Sequence, residues 1–125
     1  MGSDKIWLFD TTLRDGGQTR GVDFSRADKV AIAHALDDIG IDYIEAGWPG
    51  ANPTDDAFFA KPPKMKNAKL VSFGMTRRGG RSTANDPGLN AVIDAEVDAS
   101  CLVGKTWDFH VKTALNTTLD ENLEM

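Results

Sequence analysis

One cysteine in 125 residues, Cys101, leaves no partner for an intramolecular disulfide and fits a reducing, cytoplasmic setting. Basic residues are in deficit: 14 Lys plus Arg against 19 Asp plus Glu give a net charge of −5, which argues against a nucleic-acid partner. No apolar run approaches the roughly 20 residues that span a bilayer, so no membrane partner is expected. The N-terminal stretch MGSDKIWLFD lacks a basic region followed by an apolar run, so no secretory signal is expected either. Internal repeats, low-complexity tracts and linkers are also absent. What remains is a chain with 41% hydrophobic residues, the length of one domain with one core. Composition leaves open whether it is an enzyme or a binding module.

Short apolar runs alternate with helical patterns. Ile6–Phe9, Tyr43–Ala46, Lys69–Phe73 and Ser100–Val103 read as strands. Ser25 is a good N-cap with Asp28 at the third helical position, and Ile32, Ala35, Leu36 and Ile39 form one apolar stripe before Gly40 ends the helix. Thr54 is placed to cap a short helix through Ala60, stopped by Pro62 and Pro63. Asp86 and Pro87 start a third, with Leu89, Val92, Ile93 and Val97 on one face. The segment GKTWDFHVKTAL begins as a loop and ends as a helix, and Thr118 with Glu121 has capping-box spacing, so a last helix starts near Leu119. That helix has less than two turns before Met125, as expected of a sequence cut inside an element. Four strand–helix units imply an α/β fold with a parallel sheet and right-handed crossovers. Doubly wound sheets and (β/α)₈ barrels share this pattern.

In either fold the loops after the strands form the ligand face. The first, Asp10-Thr-Thr-Leu-Arg14-Asp15-Gly-Gly-Gln18, gathers a cation, a carboxylate and an amide. There Asp15 can hold a hard divalent cation and Arg14 can stabilise an oxyanion. Equally, Arg14 and Asp15 read as a surface ion pair in a glycine turn. If Glu45 shares a side of its strand with Tyr43, it points to the same mouth, where Arg14 is its natural partner; otherwise it is a solvated strand-end carboxylate. Thr76, Arg77, Arg78 and Arg81 follow the third strand and can meet a carboxylate or phosphates, or lie in a solvated loop. Lys105, Trp107 and Asp108 follow the fourth, with packing the default for Trp107. Cys101, inside a strand, reads as a small buried hydrophobe.

The runs LFDTTLRDGGQTRGVDFS, YIEAGWPGANPTDDAFF, GMTRR, KTWDFHV and TTLDENLEM resemble the N-terminal part of the citramalate synthase family. That family is similar to 2-isopropylmalate and homocitrate synthases and to hydroxymethylglutaryl-CoA lyase, all metal-dependent barrels. The resemblance covers essentially the whole chain. It implies that residues 1–125 form the first four β/α units of a (β/α)₈ TIM barrel, the N-terminal half of a pyruvate carboxyltransferase/HMGL-like domain. It implies a parent acyltransferase that condenses acetyl-CoA with the 2-oxo acid pyruvate to give citramalate and CoA, towards isoleucine. By the same resemblance Asp15 matches the metal-ligating acid for Mg, Mn or Zn. Arg14 matches the arginine that polarises the keto oxygen, and Glu45 the third member of the signature. Gln18, Thr76, Arg77 and His110 are the remaining candidate substrate contacts. Many relatives carry Glu or Ala where Gly17 stands. The family's His-x-His pair is missing, since the chain has only His34, opposite the apolar stripe, and His110. The 125 residues alone are therefore expected to be inactive, and an open half-barrel is expected to self-associate, most simply as a homodimer. The same condensation with another 2-oxo acid such as 2-oxoisovalerate, and a non-catalytic half-barrel that binds a ligand or partner, are the alternatives.

Overall fold

Four parallel strands pair in strict chain order, and that order separates the two folds the sequence pattern left open. In the computed structural model, which describes residues 4–125, the strands are β1 (Phe9–Asp10), β2 (Tyr43–Gly47), β3 (Lys69–Met75) and β4 (Ala99–Val103). Met1, Gly2 and Ser3, part of the N-terminal stretch read above, lie outside the described residues. A doubly wound sheet reverses its order at a switch point, whereas successive units of a barrel do not. The order β1-β2-β3-β4 is therefore that of four consecutive barrel units. Between and after the strands run α1 (Arg26–Asp38), α2 (Pro53–Ala60), α3 (Pro87–Asp94), α4 (Asp108–Thr113) and α5 (Leu119–Glu124).

Register assigns the faces. Tyr43 pairs with Lys69, Glu45 with Val71, Val71 with Ala99 and Phe73 with Cys101, so these side chains share one side of the sheet. Ile44, Ala46 and Leu70 point the other way, into a core with Ala33 of α1, Phe58 and Phe59 of α2, Leu13 and Ala95. On that helix-covered side, Gly74 lets α3 approach: a Cβ there would meet Val92 Cγ2 at 2.6 Å. Between Glu45 and Gly47 the β2–β3 register slips by one residue, a bulge beside the candidate site.

Local signals placed most helix ends. Ser25 and Asp28 form both halves of a capping box, Asp86 caps α3 ahead of Pro87, and Thr118 accepts from the Glu121 N–H. Several expectations are corrected. Asn52, not Thr54, caps α2, because its side chain reaches the Asp55 N–H while Pro53 takes the first helical position. The first strand is shorter than Ile6–Phe9; Ile6, Trp7 and Leu8 are exposed and only Phe9 and Asp10 join the ladder. In α1 the buried positions are Lys29, Ala33 and Asp37, with Ile39 left 75% exposed and Ala35 exposed. In α3 Val92 is buried but Ile93 is 72% exposed, and Val97 lies beyond the helix.

Candidate active site

The loop after β1 is folded by its own polar groups. Asp10 accepts from the Thr12 N–H (2.9 Å) and hydroxyl (3.0 Å), while the Thr11 carbonyl accepts from the N–H groups of Arg14, Asp15 and Gly16. Leu13, 1% exposed, anchors the turn in the core, while Arg14 reaches Glu45 and Phe73 on the opposite side of the sheet. Gly17 is not required by space, since a Cβ would meet the Phe24 ring at an ordinary 3.5 Å.

Arg14 and Glu45 meet there. Arg14 Nε donates to Glu45 Oε2 at 2.8 Å, and Nη1 donates to Asp15 Oδ1 at 3.3 Å. Glu45 is 1% exposed, so a buried carboxylate from β2 is paired with a cation, as burial demands. The guanidinium lies over the Phe73 ring, 4.2 Å from its centroid, and Trp48 packs edge-on against the same ring at 5.1 Å. Of five guanidinium N–H donors, two are used, and the rest can meet an anionic or carbonyl oxygen. Cys101 faces this side as well; burial pushes its thiol up, and the nearby Glu45 carboxylate pushes it further. It is half-buried, which corrects its reading as a core residue.

Two cavities flank the Trp48 loop. One of about 260 Å³ brings Gln18 together with Arg14 and Asn52. The other, about 800 Å³, is lined by Thr76, Arg77, Trp48 and Met75. Arg77 is engaged in it: Nη1 donates to Glu121 Oε1 at 3.0 Å and to the Arg81 carbonyl at 2.9 Å. The Gly80 N–H, together with Arg77, holds the Glu121 carboxyl below the usual range. Arg78 gives its backbone N–H to Asp86, and Arg81 reaches the Asn85 carbonyl at 3.4 Å.

His110 stands elsewhere. It is exposed on α4, 4.6 Å from the Trp107 ring, and lines neither cavity. Trp107 is 56% exposed rather than packed into a pocket, Asp108 pairs with Lys112, and Lys105 offers its carbonyl to Asn122. His34 is exposed on α1. The donor set does not make a metal site: Asp15 is a lone carboxylate, 65% exposed, and no three candidate ligands gather among the described residues.

Lys29 and Asp55 form a buried pair that sequence reasoning missed, since 26 positions separate them. Lys29 Nζ donates to Asp55 Oδ1 and to the Ala46 carbonyl, and Asp55 Oδ2 accepts from the Trp48 N–H.

Comparison with known proteins places the chain among named relatives. (R)-Citramalate synthase of Aquifex aeolicus (strain VF5) is 54% identical over 98% of this chain and 24% of its own length. The enzyme of that name from Streptomyces coelicolor is 51% identical over 98% of this chain and 23% of its own. Homocitrate synthase AksA of Methanopyrus kandleri is 35% identical over 97% and 29%. The chain thus spans about a quarter of the length of these curated relatives. In fold it is similar to the crystal structure of Bacillus subtilis HMG-CoA lyase, with a TM-score of 0.70 at 19% identity over 98% of this chain and 40% of that one. The HMGL-like family profile matches residues 5–125, and with barrel-order strands beneath a matching sequence the chain belongs to the HMGL-like family.

Proposed function

We propose that this chain is the 2-oxo-acid-orienting part of an acyltransferase that converts acetyl-CoA, pyruvate and water to citramalate and CoA. The observation that carries the reading is the Arg14 guanidinium, held by Glu45 and Phe73 with donors to spare, in a chain about half identical to enzymes named (R)-citramalate synthase. Arg14 binds the 2-oxo acid and draws charge toward its keto oxygen. As the acetyl carbon bonds to the keto carbon, that oxygen gains negative charge, and the fixed guanidinium stabilises it without reorganising. Glu45 keeps the guanidinium plane in place and Gln18 supplies a second polar contact in the adjoining cavity. Thr76 and Arg77 line the larger cavity and serve the acyl-CoA side. His110 has no substrate role in this scheme. Asp15 offers a single carboxylate to a divalent Mg, Mn or Zn ion, too few ligands among the described residues to hold it. The reading assigns the reaction to the cytoplasm; among the described residues no helix is long and apolar enough to cross a membrane.

The test is CoA release by the whole protein carrying this chain, across pyruvate, 2-oxoisovalerate and 2-oxoglutarate. Preference for pyruvate supports the reading, and preference for a branched acid moves it to isopropylmalate-type condensation. Arg14→Ala should lower turnover by about 2.7–4 kcal/mol, as for loss of an oxyanion donor. Near-normal turnover would remove Arg14 from its role.

A further inference from the structure

We propose that the buried Lys29–Asp55 pair is a positioning device for Arg14, acting through the bulge in β2. Lys29 and Asp55 are 4% and 6% exposed. Burying two opposite charges costs several kcal/mol per ion before their attraction is counted, so such a pair is a poor source of stability by itself. Its side-chain hydrogen bonds to backbone groups go to one stretch of chain, β2 and the loop that follows. Lys29 Nζ holds the Ala46 carbonyl at 2.8 Å, and Asp55 Oδ2 holds the Trp48 N–H at 2.8 Å, one on each side of Gly47. Gly47 makes the approach feasible, because a Cβ there would lie 2.6 Å from the Asp55 carboxyl carbon. Asn52 closes the arrangement, donating to Asp55 Oδ2 at 3.0 Å and capping the Asp55 N–H at 2.9 Å.

Each end of this clamped stretch adjoins a partner of Arg14. Upstream, Ala46 follows Glu45, whose carboxylate takes Arg14 Nε. Downstream, the Trp48 ring is packed edge-on against Phe73, the ring on which the guanidinium lies. Lys29 and Asp55 line the smaller cavity but make no hydrogen bond to the guanidinium, so they set its orientation at one remove. The inference rests on the reading of Arg14 as the orienting group, and its readout is independent of substrate.

The experiment compares the chain with Lys29→Met/Asp55→Leu, which replaces the pair by apolar side chains of similar size, and with Lys29→Gln, which keeps an amide donor but with a shorter reach to the Ala46 carbonyl. Hydrogen exchange of the Arg14 Nε–H is followed by NMR, beside the melting temperature and CoA release by the whole protein. The expected result is a folded variant in which that proton exchanges at least about tenfold faster at a temperature far below melting. If the double variant does not fold, Lys29→Gln must show the acceleration. Unchanged exchange in a folded variant, whatever happens to the melting temperature, overturns the proposal. In the whole protein kcat should fall more than the KM for acetyl-CoA changes. If exchange accelerates but Arg14→Ala leaves CoA release intact, the functional reading fails and the positioning role stands.

Discussion

Truncating Arg14 does more than remove a donor from the mouth of the site. Glu45 has 1% exposure and Arg14 is its cationic partner, so Arg14→Ala leaves a carboxylate buried and uncompensated. A loss of about 3–5 kcal/mol is expected from breaking such a pair. Adding Glu45→Gln to that variant removes the stranded charge and should restore part of the stability. Urea denaturation of the two single variants and the double variant measures this coupling; strictly additive losses would show that the two side chains do not act as a pair. Cys101 beside them should react slowly with thiol reagents, because burial and then Glu45 both favour its protonated form.

Between elements, two buried aspartates act as connectors. Burial alone would push Asp37 up, but N–H groups of Ala68, Lys66 and Asn67 outweigh it and hold the carboxyl below its ordinary range. The Arg78 N–H does the same for Asp86, against burial and with help from Leu89 and Gly88. Both acids bind a proton more weakly folded than unfolded, so their contribution is present above the ordinary carboxylate pKa of about 4 and is lost as pH falls through the lower folded values. Stability should therefore drop on acidification, and Asp37→Asn and Asp86→Asn should start less stable at pH 7 but fall less steeply. Urea titrations from pH 7 downward check this; an unchanged acid slope in both variants would contradict it. At α2 the cap can be tested by exchange of roles. Asn52→Ala should cost about 1 kcal/mol, while Thr54→Ala should stay within about 0.5 kcal/mol.

For the whole molecule, the sheet leaves β1 and β4 each with one paired neighbour. Trp7 and Phe9 are about half exposed near the β1 edge, and Leu102 is half exposed on β4. A two-fold axis along the barrel direction would bring β4 of one copy beside β1 of another, still parallel, and close the sheet. The 125-residue chain by itself should therefore associate with concentration, as measured by light scattering coupled to size exclusion. A monomer at high concentration would refute this. The same preparation should release no CoA from acetyl-CoA and pyruvate with added divalent metal, since two copies of this chain still contain no His-x-His pair.

What the sequence determined by itself is local or motif-borne. The capping pairs Ser25–Asp28, Asp86–Pro87 and Thr118–Glu121 act over one to three residues, so spacing alone located those helix starts. Strand and helix alternation came from periodicity, and the Arg14, Asp15 and Glu45 signature was legible because its residues sit in short runs. Tertiary structure decided what depends on distant partners. Strand order, not alternation, distinguished the barrel from the doubly wound sheet. The α1 stripe was half right: Ile32 and Leu36 pack partly against the core, but Lys29 and Asp37 look like surface residues until Ala46 and Ala68, 17 and 31 positions away, supply their hydrogen bonds. Charge goes inside only where the fold brings a partner to it, and no periodicity along one helix records that partner.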